Sequence, residues 1–509
     1  MTKLMKISFL AFVILLCTIS VSFATEDATD ISDTVSTQTI EQQTVDTAKE
    51  VQTTSKDNNK VKTIENKKLR TTDSNDPYTF TNTTLDITSN NYDNQVLTIL
   101  DNVNVISSNN IQLSNTAFNI TGTNVNVTGL RFINYDYSPI VFRVTGSADV
   151  NIINNTISLT NGQEFETKGV SIKNSNNVNV SGNNIYLAGV PQAAGWTYNN
   201  DTHEWVENMK VSGIKAETST NIIINNNVVT VTNSTTWGQV NSSTDAITFK
   251  TCNDSRIENN TITIDGSDYI YGISATTFNN NIIVYNNTVY LTGENYICGV
   301  QFSSTSNSRA KLNKVYGNCS AISGDCPSFE AFAYGVIDLT GTWGASTSEA
   351  VGNIIEENYV ELDSTIAYAY ELSNTDQTQV LNNNATITGN VVMGLGIYNS
   401  TNSNITGNKF NITGNTRNLH PDIYEAIPPQ TTGIKLVGAD STNIRITNNT
   451  ITVTESTSTS TFAVIIEDAI GNYVTGNTLK SSDEVDEFTG DYSVSTNVDE
   501  SLNTVENNN

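Results

Sequence analysis

A short pattern of apolar residues and asparagines repeats along most of this chain. The clearest copies are residues 169–187 (GVSIKNSNNVNVSGNNIYL), 213–231 (GIKAETSTNIIINNNVVTV), 272–291 (GISATTFNNNIIVYNNTVYL) and 433–453 (GIKLVGADSTNIRITNNTITV). Looser copies begin near Pro139, Ala246, Gly299, Gly335, Ala369, Gly396 and Ala463. Together they make eleven units whose starts lie 26 to 44 residues apart. A repeat of this length indicates a solenoid, propeller or array rather than separate domains.

Each unit carries three short segments in which apolar and polar residues alternate, as in half-buried β-strands. In the third clear copy, alternation sends Ile282, Val284, Val289 and Leu291 to one side of the strands. Such short segments form no stable sheet alone, but stacked units bury a continuous core. We therefore predict an all-β, single-stranded right-handed parallel β-helix of about eleven or more three-strand coils, with further coils in residues 85–133.

An Asn-Asn pair separates the second and third strands of most units. The chain must bend sharply there, and asparagine tolerates the left-handed backbone conformation that a sharp bend needs. Glycine takes the first place of the pair in Gly182-Asn183, Gly407-Asn408 and Gly476-Asn477. Stacked coils are expected to align these asparagines into a ladder of side-chain hydrogen bonds from coil to coil.

The first residues resemble a secretory signal peptide. Lys3 and Lys6 precede an apolar run from Ile7 to Val21, and small residues lead up to Ala24. Cleavage after Ala24 is predicted, and an uncleaved membrane anchor is the alternative, although the run is short for a membrane span.

Composition divides the remaining chain. We predict a signal peptide at 1–24, a disordered Thr-rich and acidic spacer at 25–76, an N-terminal cap with the first coils at 77–138, the β-helix repeats at 139–480 and an acidic C-terminal tail at 481–509. No membrane span is expected after cleavage, because nothing strongly apolar follows in the tail.

The chain is strongly acidic. It has 25 Lys and Arg against 52 Asp and Glu, for a net charge of −27. Such a surface repels nucleic acid and anionic lipid, so neither is an expected partner.

Four cysteines follow the signal segment, namely Cys252, Cys298, Cys319 and Cys326. An even count in an exported chain permits two disulfides in three pairings, and the spacing of Cys319 and Cys326 favours a local bridge. Buried free thiols are the alternative. No Cys-x-x-Cys pair or His-Cys cluster indicates a metal site, and no cofactor is predicted.

With this repeat frame, signal segment and spacer, residues 80–480 resemble the right-handed parallel β-helix repeat proteins. These include the NosD-like and pectin-lyase-like groups and the secreted Asn/Thr-rich adhesin-like proteins of methanogenic archaea. The resemblance implies the fold and a surface location. It implies no single activity, because this fold hosts lyases, hydrolases, epimerases and non-catalytic binders.

Four units carry long insertions, at residues 188–210, 233–245, 317–334 and 414–432. All four fall between the third strand of one unit and the first strand of the next, so they should project from one edge of the solenoid and line a groove. They hold the aromatic residues that we predict to bind ligand, Trp196, Tyr198, Trp205, Trp237 and Tyr424. Exposed aromatics beside carboxylates suit sugar rings, and the alternative is that the insertions fold back over the edge of the coils.

A catalytic function requires charged side chains that lie close together in one site. Outward positions of the first strands include Lys215, Glu371 and Lys435, with Asp245 and Asp338 nearby. A lyase would use a basic side chain as the general base and carboxylates to bind calcium. A calcium ion is expected only if the protein is such a lyase. The residues are spread over many coils, which favours ordinary solvated charges, so no catalytic residue is predicted.

Asn-x-Ser/Thr sequons number seventeen, among them Asn82, Asn126, Asn286 and Asn448. A chain this rich in Asn, Ser and Thr contains about that many by chance, so the count alone does not establish a glycoprotein. Many lie in the turns between strands, where they are accessible.

These features favour an exported, non-catalytic, adhesin-like protein that binds glycans or cell-surface partners through the insertions on one edge of the β-helix. The expected partners are surface polysaccharides or glycoproteins of host or neighbouring cells. A polysaccharide lyase, hydrolase or epimerase is the alternative, and a purely structural envelope component is a third interpretation.

Overall fold

The computed structural model describes part of the chain. These residues are 78–134, 140–160, 166–189, 196–199, 204–207, 210–233, 243–266, 269–293, 296–319, 332–339, 350–414, 430–455, 461–481 and 494–509. All of them belong to the unit 68–509. The predicted signal segment and spacer lie outside the described residues and stay predictions.

The described chain folds into three long parallel faces, which are named A, B and C in the order in which each coil runs through them. Strands are numbered along the chain. Face A contains β1 (Thr79–Phe80), β3 (Val96–Ile99), β6 (Ala117–Ile120), β9 (Ile140–Thr145), β12 (Glu166–Lys173), β17 (Lys210–Glu217), β20 (Ser243–Lys250), the first half of β23 (Tyr269–Tyr285), β25 (Tyr296–Ser306), β28 (Phe332–Leu339), β32 (Ile366–Ser373), β36 (Val391–Tyr398), β39 (Gln430–Val437), β42 (Thr461–Glu467) and β45 (Val494–Thr496).

Face B contains β2 (Thr83–Asp86), β4 (Val103–Ile106), β7 (Thr123–Thr128), β10 (Ala148–Ile153), β13 (Asn176–Ser181), β18 (Thr220–Asn225), β21 (Asn253–Glu258), the second half of β23, β26 (Arg309–Lys311), β30 (Ile354–Glu356), β34 (Gln379–Leu381), β37 (Asn404–Thr406), β40 (Arg445–Thr447), β43 (Tyr473–Thr475) and β46 (Thr504–Glu506).

Face C contains β5 (Gln112–Ser114), β8 (Arg131–Asn134), β11 (Thr156–Thr160), β14 (Asn184–Gly189), β19 (Val228–Asn233), β22 (Thr261–Asp265), β24 (Thr288–Gly293), β27 (Lys314–Cys319), β31 (Tyr359–Ser364), β35 (Asn384–Gly389), β38 (Lys409–Gly414), β41 (Thr450–Glu455) and β44 (Thr478–Ser481).

Four short strands and one helical turn lie outside the three faces. β15 (Trp196–Asn199) and β16 (Glu204–Glu207) form an antiparallel hairpin, and β29 (Ala350–Val351) pairs in parallel with β33 (Thr375–Asp376). A single 3-10 turn spans Glu500–Leu502. No helix among the described residues is long and apolar enough to cross a membrane.

Each strand pairs with the equivalent strand one coil away, so the predicted parallel β-helix is confirmed. On face B, for example, β10 pairs in parallel with β7 on one side and β13 on the other. Fifteen coils are counted along face A of the described chain. Eleven match the predicted units, three lie before them, and one follows in residues 494–506, within the segment predicted as an acidic tail.

The inward residues of all three faces form one continuous apolar core. Ile282, Val284 and Val289 are fully buried and Leu291 is 2% exposed, whereas Tyr290 on the same strands is 45% exposed. The alternation in the sequence therefore sets which side of each strand faces the core.

The asparagine ladder is the second element of the interior. Asn287 is typical: its amide nitrogen Nδ2 donates to Oδ1 of Asn313 at 2.9 Å and to the carbonyl of Ile257 at 2.9 Å. Its Oδ1 accepts from both the backbone N–H and Nδ2 of Asn260. The same bonds link Asn155, Asn183, Asn227, Asn260, Asn287, Asn313, Asn358, Asn383, Asn408, Asn449, Asn477 and Asn508.

The residue before each ladder asparagine makes the bend from face B to face C. Asn286 has φ of 51° and Gly182 has φ of 66°, both in the left-handed region. The two residues of the Asn-Asn pair thus have different roles, since the first turns the chain and the second satisfies the buried polar groups of the turn.

Candidate functional site

The four long insertions leave the solenoid at one corner. They connect β14 to β17, β19 to β20, β27 to β28 and β38 to β39. Each therefore runs from a strand of face C to the next strand of face A. We call this line the C–A corner.

The hairpin of β15 and β16 lies within the first insertion. Trp196 and Tyr198 are on β15, Trp205 is on β16, and Tyr198 is the register partner of Trp205. Trp237 and Tyr424 lie outside the described residues. The ligand-binding role of all five residues stays a prediction.

The structure describes three of these four cysteines. Cys319 ends β27 and is buried, and Cys326 lies outside the described residues, so their pairing also stays a prediction. Cys252 and Cys298 are buried free thiols. For these two residues the alternative of buried thiols therefore applies, rather than a disulfide.

Aromatic side chains concentrate on the outer side of face A, beside the C–A corner. We call this set the aromatic row, and it consists of Tyr269, Tyr271, Tyr296, Phe332, Tyr334 and Tyr368. All six are half-buried or exposed. The residues between them, such as Ile270 and Ile297, are buried in the core because alternate residues of a strand point to opposite sides.

Ring contacts make the row continuous over four strands. The ring centroids of Tyr271 and Tyr296 are 5.5 Å apart, those of Tyr296 and Tyr334 are 5.3 Å apart, and those of Tyr334 and Tyr368 are 5.4 Å apart. The last pair meets edge to face at 87°. These contacts hold the rings in fixed places on a rigid sheet.

Glu371 lies at the end of this row, three residues after Tyr368 on β32. Its register partners on the adjacent strands are the uncharged residues Ile337 and Gly396. Tyr398 fills the space above Gly396, where an added Cβ would meet the tyrosine ring at 2.7 Å. Glu371 therefore lies in an aromatic and aliphatic environment.

The carboxylate of Glu371 has no partner among the described residues. Among the described residues none donates a hydrogen bond to it or forms an ion pair with it. Burial raises the pKa of Glu371 to about 7, because an apolar environment disfavours the charged form. Burial likewise raises the pKa of Tyr334 well above its usual range, and the charge of Glu371 adds to this rise.

The other charged residues considered for catalysis do not converge on Glu371. Lys215 pairs with Glu217 at 2.7 Å, and Lys435 pairs with Glu467 at 3.1 Å. Asp245 is buried on β20, and Asp338 belongs to β28. The described residues contain no group of three or more His, Cys, Asp or Glu placed to hold a metal ion.

In the part of the chain that the structure describes, three hydroxyl groups on the outer side of face A are buried without a hydrogen-bond partner. They belong to Ser212 on β17, Thr248 on β20 and Thr432 on β39. A buried polar group without a partner is costly, and a bound ligand or water would satisfy it. Face A thus offers aromatic rings, hydroxyls and the carboxyl group of Glu371 on one side of the solenoid.

The aromatic row was missed at the sequence level for a simple reason. The repeat frame begins at a glycine, and Tyr271 and Tyr334 lie just outside it, directly before Gly272 and Gly335. Alignment of the residues one and three places before that glycine would have revealed two columns of outward side chains rich in tyrosine.

Comparison with known proteins gives distant similarities only. No protein-family model matches the sequence, and no curated protein matches it. The A-module of the mannuronan C-5 epimerase AlgE6 of Azotobacter vinelandii is 13% identical, with a TM-score of 0.42, and the match covers 81% of this chain and 90% of that one.

A mutant tailspike protein of E. coli bacteriophage HK620 is 10% identical, with a TM-score of 0.42, and the match covers 79% of this chain and 66% of that one. A mutant DFA-IIIase of Arthrobacter chlorophenolicus A6 is 12% identical, with a TM-score of 0.36, and the match covers 81% and 75% of the two chains. At these values the fold assignment rests on the strand pairing of this chain, and its function must be argued from its own residues.

Proposed function

We propose that this protein is an exported, adhesin-like surface protein that binds glycans without catalysing a reaction. Binding uses the outer side of face A together with the insertions at the C–A corner. The aromatic row is the observation that carries this proposal. Sugar rings present an apolar face that packs on aromatic side chains, and hydroxyls that hydrogen-bond to polar groups beside them.

The arrangement on face A fits an extended chain better than a single small sugar. Tyr271, Tyr296, Tyr334 and Tyr368 lie on four consecutive strands, and consecutive strands are about 4.8 Å apart. The row therefore spans roughly 14 Å, which exceeds the length of one hexose. The unpaired hydroxyls of Ser212 and Thr248 lie on strands further along the same face.

Export and surface location are part of the same proposal. They are supported by the signal-like residues 1–24, by the acidic composition and by the resemblance to Asn/Thr-rich adhesin-like proteins. The partners are then surface polysaccharides or glycoproteins of host or neighbouring cells.

The test is a binding screen of the purified protein against neutral and acidic polysaccharides and cell-surface glycoproteins, read by titration calorimetry. The proposal expects saturable binding to at least one class. It also expects weaker binding when Trp196 and Trp205 are replaced by alanine, because these residues lie in the insertion that leads into β17 of face A. Absence of binding across the whole screen would remove the basis of the proposal.

Glu371 favours one second candidate function, a polysaccharide lyase, hydrolase or epimerase. A carboxyl group with a pKa near 7 exchanges a proton readily at neutral pH, and such groups are found in active sites. Incubation with each bound polysaccharide, with and without calcium, tests this by the appearance of new unsaturated or reducing ends. Turnover that is lost in Glu371→Gln would replace the non-catalytic interpretation.

A further inference from the structure

The turn from face B to face C forms a column of exposed residues along one edge, which we call the B–C corner. In four coils the turn reads Asn-Asn-Thr, with the first asparagine at Asn154, Asn259, Asn286 and Asn448. Each of these first residues is exposed and has φ between 51° and 56°. The second asparagine is buried in the ladder, and the threonine opens the strand of face C.

The pattern Asn-x-Thr is the acceptor sequence for N-linked glycans. The fold therefore places the acceptor amide outward and the required threonine directly after the corner. This selects a small set from the seventeen sequons of the chain.

Asn154 and Asn448 differ from the other corner positions in their neighbours. In the adjacent coils the equivalent residues of Asn154 are Gly129 and Gly182, and those of Asn448 are Gly407 and Gly476. Glycine has no side chain, so no side chain of the adjacent corner positions crowds either asparagine, and Oδ1 of Asn154 lies against Gly182. Neither Asn154 nor Asn448 makes a side-chain hydrogen bond to any described residue.

Asn259 and Asn286 are crowded by comparison. They lie in adjacent coils, and Nδ2 of Asn286 donates to Oδ1 of Asn259 at 2.8 Å. Nδ2 of Asn259 in turn donates to Oδ1 of Asn225 at 3.1 Å. A glycan on either residue would crowd one of these bonds, and two glycans on neighbouring coils would start only about 4.8 Å apart.

Sequons within face B are less accessible still. Asn126 and Asn179 are half-buried. Oδ1 of Asn126 accepts from Nδ2 of Asn151 at 2.9 Å, and Nδ2 of Asn179 donates to Oδ1 of Asn151 at 3.3 Å. A glycan attached to either residue would disturb this row of side-chain hydrogen bonds on face B.

We propose that Asn154 and Asn448 are N-glycosylation sites, and that the B–C corner carries the glycans of this protein. The co-reactant is a lipid-linked oligosaccharide. Nδ2 forms a bond to its anomeric carbon, the bond from that carbon to the lipid phosphate oxygen breaks, the lipid phosphate leaves, and the amide loses one proton to the transferase. The inference assumes the proposed export, because the transfer takes place during or after translocation.

The B–C corner is the one corner of the coil that does not border face A, because each coil runs from A to B to C and back to A. Glycans at Asn154 and Asn448 therefore lie on the side away from the aromatic row. They shield the back of the solenoid and leave the proposed binding face open.

The test is secretion of the chain from a eukaryotic host that performs N-glycosylation, with occupancy of each sequon measured by glycopeptide mass spectrometry. We expect most molecules to carry glycans at Asn154 and Asn448. We also expect no more than one glycan on Asn259 and Asn286 together, and essentially none at Asn126 or Asn179. Secreted protein that is empty at Asn154 and Asn448, or doubly modified at Asn259 and Asn286, overturns the proposal.

Two variants sharpen the result. Thr156→Val keeps the size of an exposed residue at the start of β11 and should remove only the glycan at Asn154. Gly182→Asn keeps a residue that tolerates the left-handed turn, but its side chain would take the place where Oδ1 of Asn154 lies, and occupancy at Asn154 should fall at least about threefold. Unchanged occupancy in Gly182→Asn would show that the glycine neighbours do not matter. Glycan binding by face A is measured separately, so failure of this inference leaves the proposed function standing.

Discussion

At the scale of single residues, the buried ladder asparagines should matter more to stability than any exposed polar residue. Replacement of Asn287 by alanine removes the partners of Asn260, Asn313 and Ile257 together. Buried groups left without hydrogen bonds cost about 1–3 kcal/mol each, so we expect Asn287→Ala to lower the free energy of unfolding by about 3 kcal/mol or more. Urea unfolding followed by circular dichroism measures the change.

The matched control is the neighbouring residue of the same pair. Asn286→Gly keeps the left-handed turn, since glycine adopts positive φ without strain, and loses only an exposed hydrogen bond. Its effect should be below about 1 kcal/mol. Equal losses in the two variants would mean that the ladder contributes nothing specific.

The raised pKa of Glu371 predicts that the stability of the chain depends on pH. Its pKa of about 7 in the folded chain lies above its ordinary value of 4.5, so the folded state holds the proton more tightly than the unfolded state. The contribution of Glu371 to the free energy of unfolding is therefore greatest below pH 4.5, and it falls as the pH rises towards 7. Glu371→Gln should be more stable than the parent by roughly 2–3 kcal/mol at pH 8 and equal to it near pH 4.5.

Glu217 provides a control of opposite sign. Burial raises the pKa of Glu217, but its hydrogen bond to Lys215 and the charges of Lys215, Lys168 and Lys250 outweigh burial and lower the pKa below the ordinary value. The stabilising contribution of ionised Glu217 to the free energy of unfolding is present at neutral pH, and it is lost as the pH falls through that lowered pKa. Glu217→Gln should thus destabilise the chain at pH 7, and denaturation curves at several pH values distinguish the two variants.

At the scale of elements, the strands of face A depend on a column of small residues. A Cβ added to Gly299 would lie 2.4 Å from Cγ1 of Val315 and 2.6 Å from the carbonyl oxygen of Gly335 in the next coil. The second contact is with backbone and cannot be relieved by a rotamer change. We expect Gly299→Ala to cost about 1–3 kcal/mol, measured by urea unfolding.

Ala369 occupies the same place on β32 and offers the reverse substitution. Ala369→Gly adds no atom, so only the usual cost of glycine in a strand applies, about 0.5–1 kcal/mol. A larger loss for Ala369→Gly than for Gly299→Ala would contradict the account of close coil packing on face A.

The strands, turns and ladder were predictable because each repeats a local rule. Alternation identifies the buried side, as at Ile282 and Tyr290, and the need for a left-handed residue identifies the turn at Asn286. The aromatic row was not predictable in the same way. Tyr296 and Tyr334 are far apart in the sequence, and only the register of β25 and β28 brings their rings to 5.3 Å.

At the scale of the whole molecule, the coils at both ends were harder to predict than those in the middle. β45 and β46 are three residues each and follow no repeat glycine, yet they pair with β42 and β43. A short strand gains its stability from the coil beneath it, so its own sequence carries little signal. The outward position of Glu371 follows from its place on the first strand of its unit, but the absence of a partner among the described residues depends on Ile337 and Gly396 in neighbouring coils.

The three faces differ in what they present to the surroundings. Face A combines the aromatic row with the insertions of the C–A corner. Face C also carries stacked tyrosines, since the ring centroids of Tyr290 and Tyr316 are 5.1 Å apart. These tyrosines lie on β24 and β27, whereas Glu371 lies on β32 of face A. Tyrosine content alone therefore does not define the proposed site.

The most direct measurement compares glycan affinity in two matched double variants. Tyr296→Ala with Tyr334→Ala removes the centre of the aromatic row, and Tyr290→Ala with Tyr316→Ala removes the stacked pair on face C. For a polysaccharide that the parent binds, we predict at least about tenfold weaker binding in the first variant and unchanged binding in the second. Equal binding by the parent and the face A variant, or a loss confined to the face C variant, would contradict the assignment of face A as the binding surface.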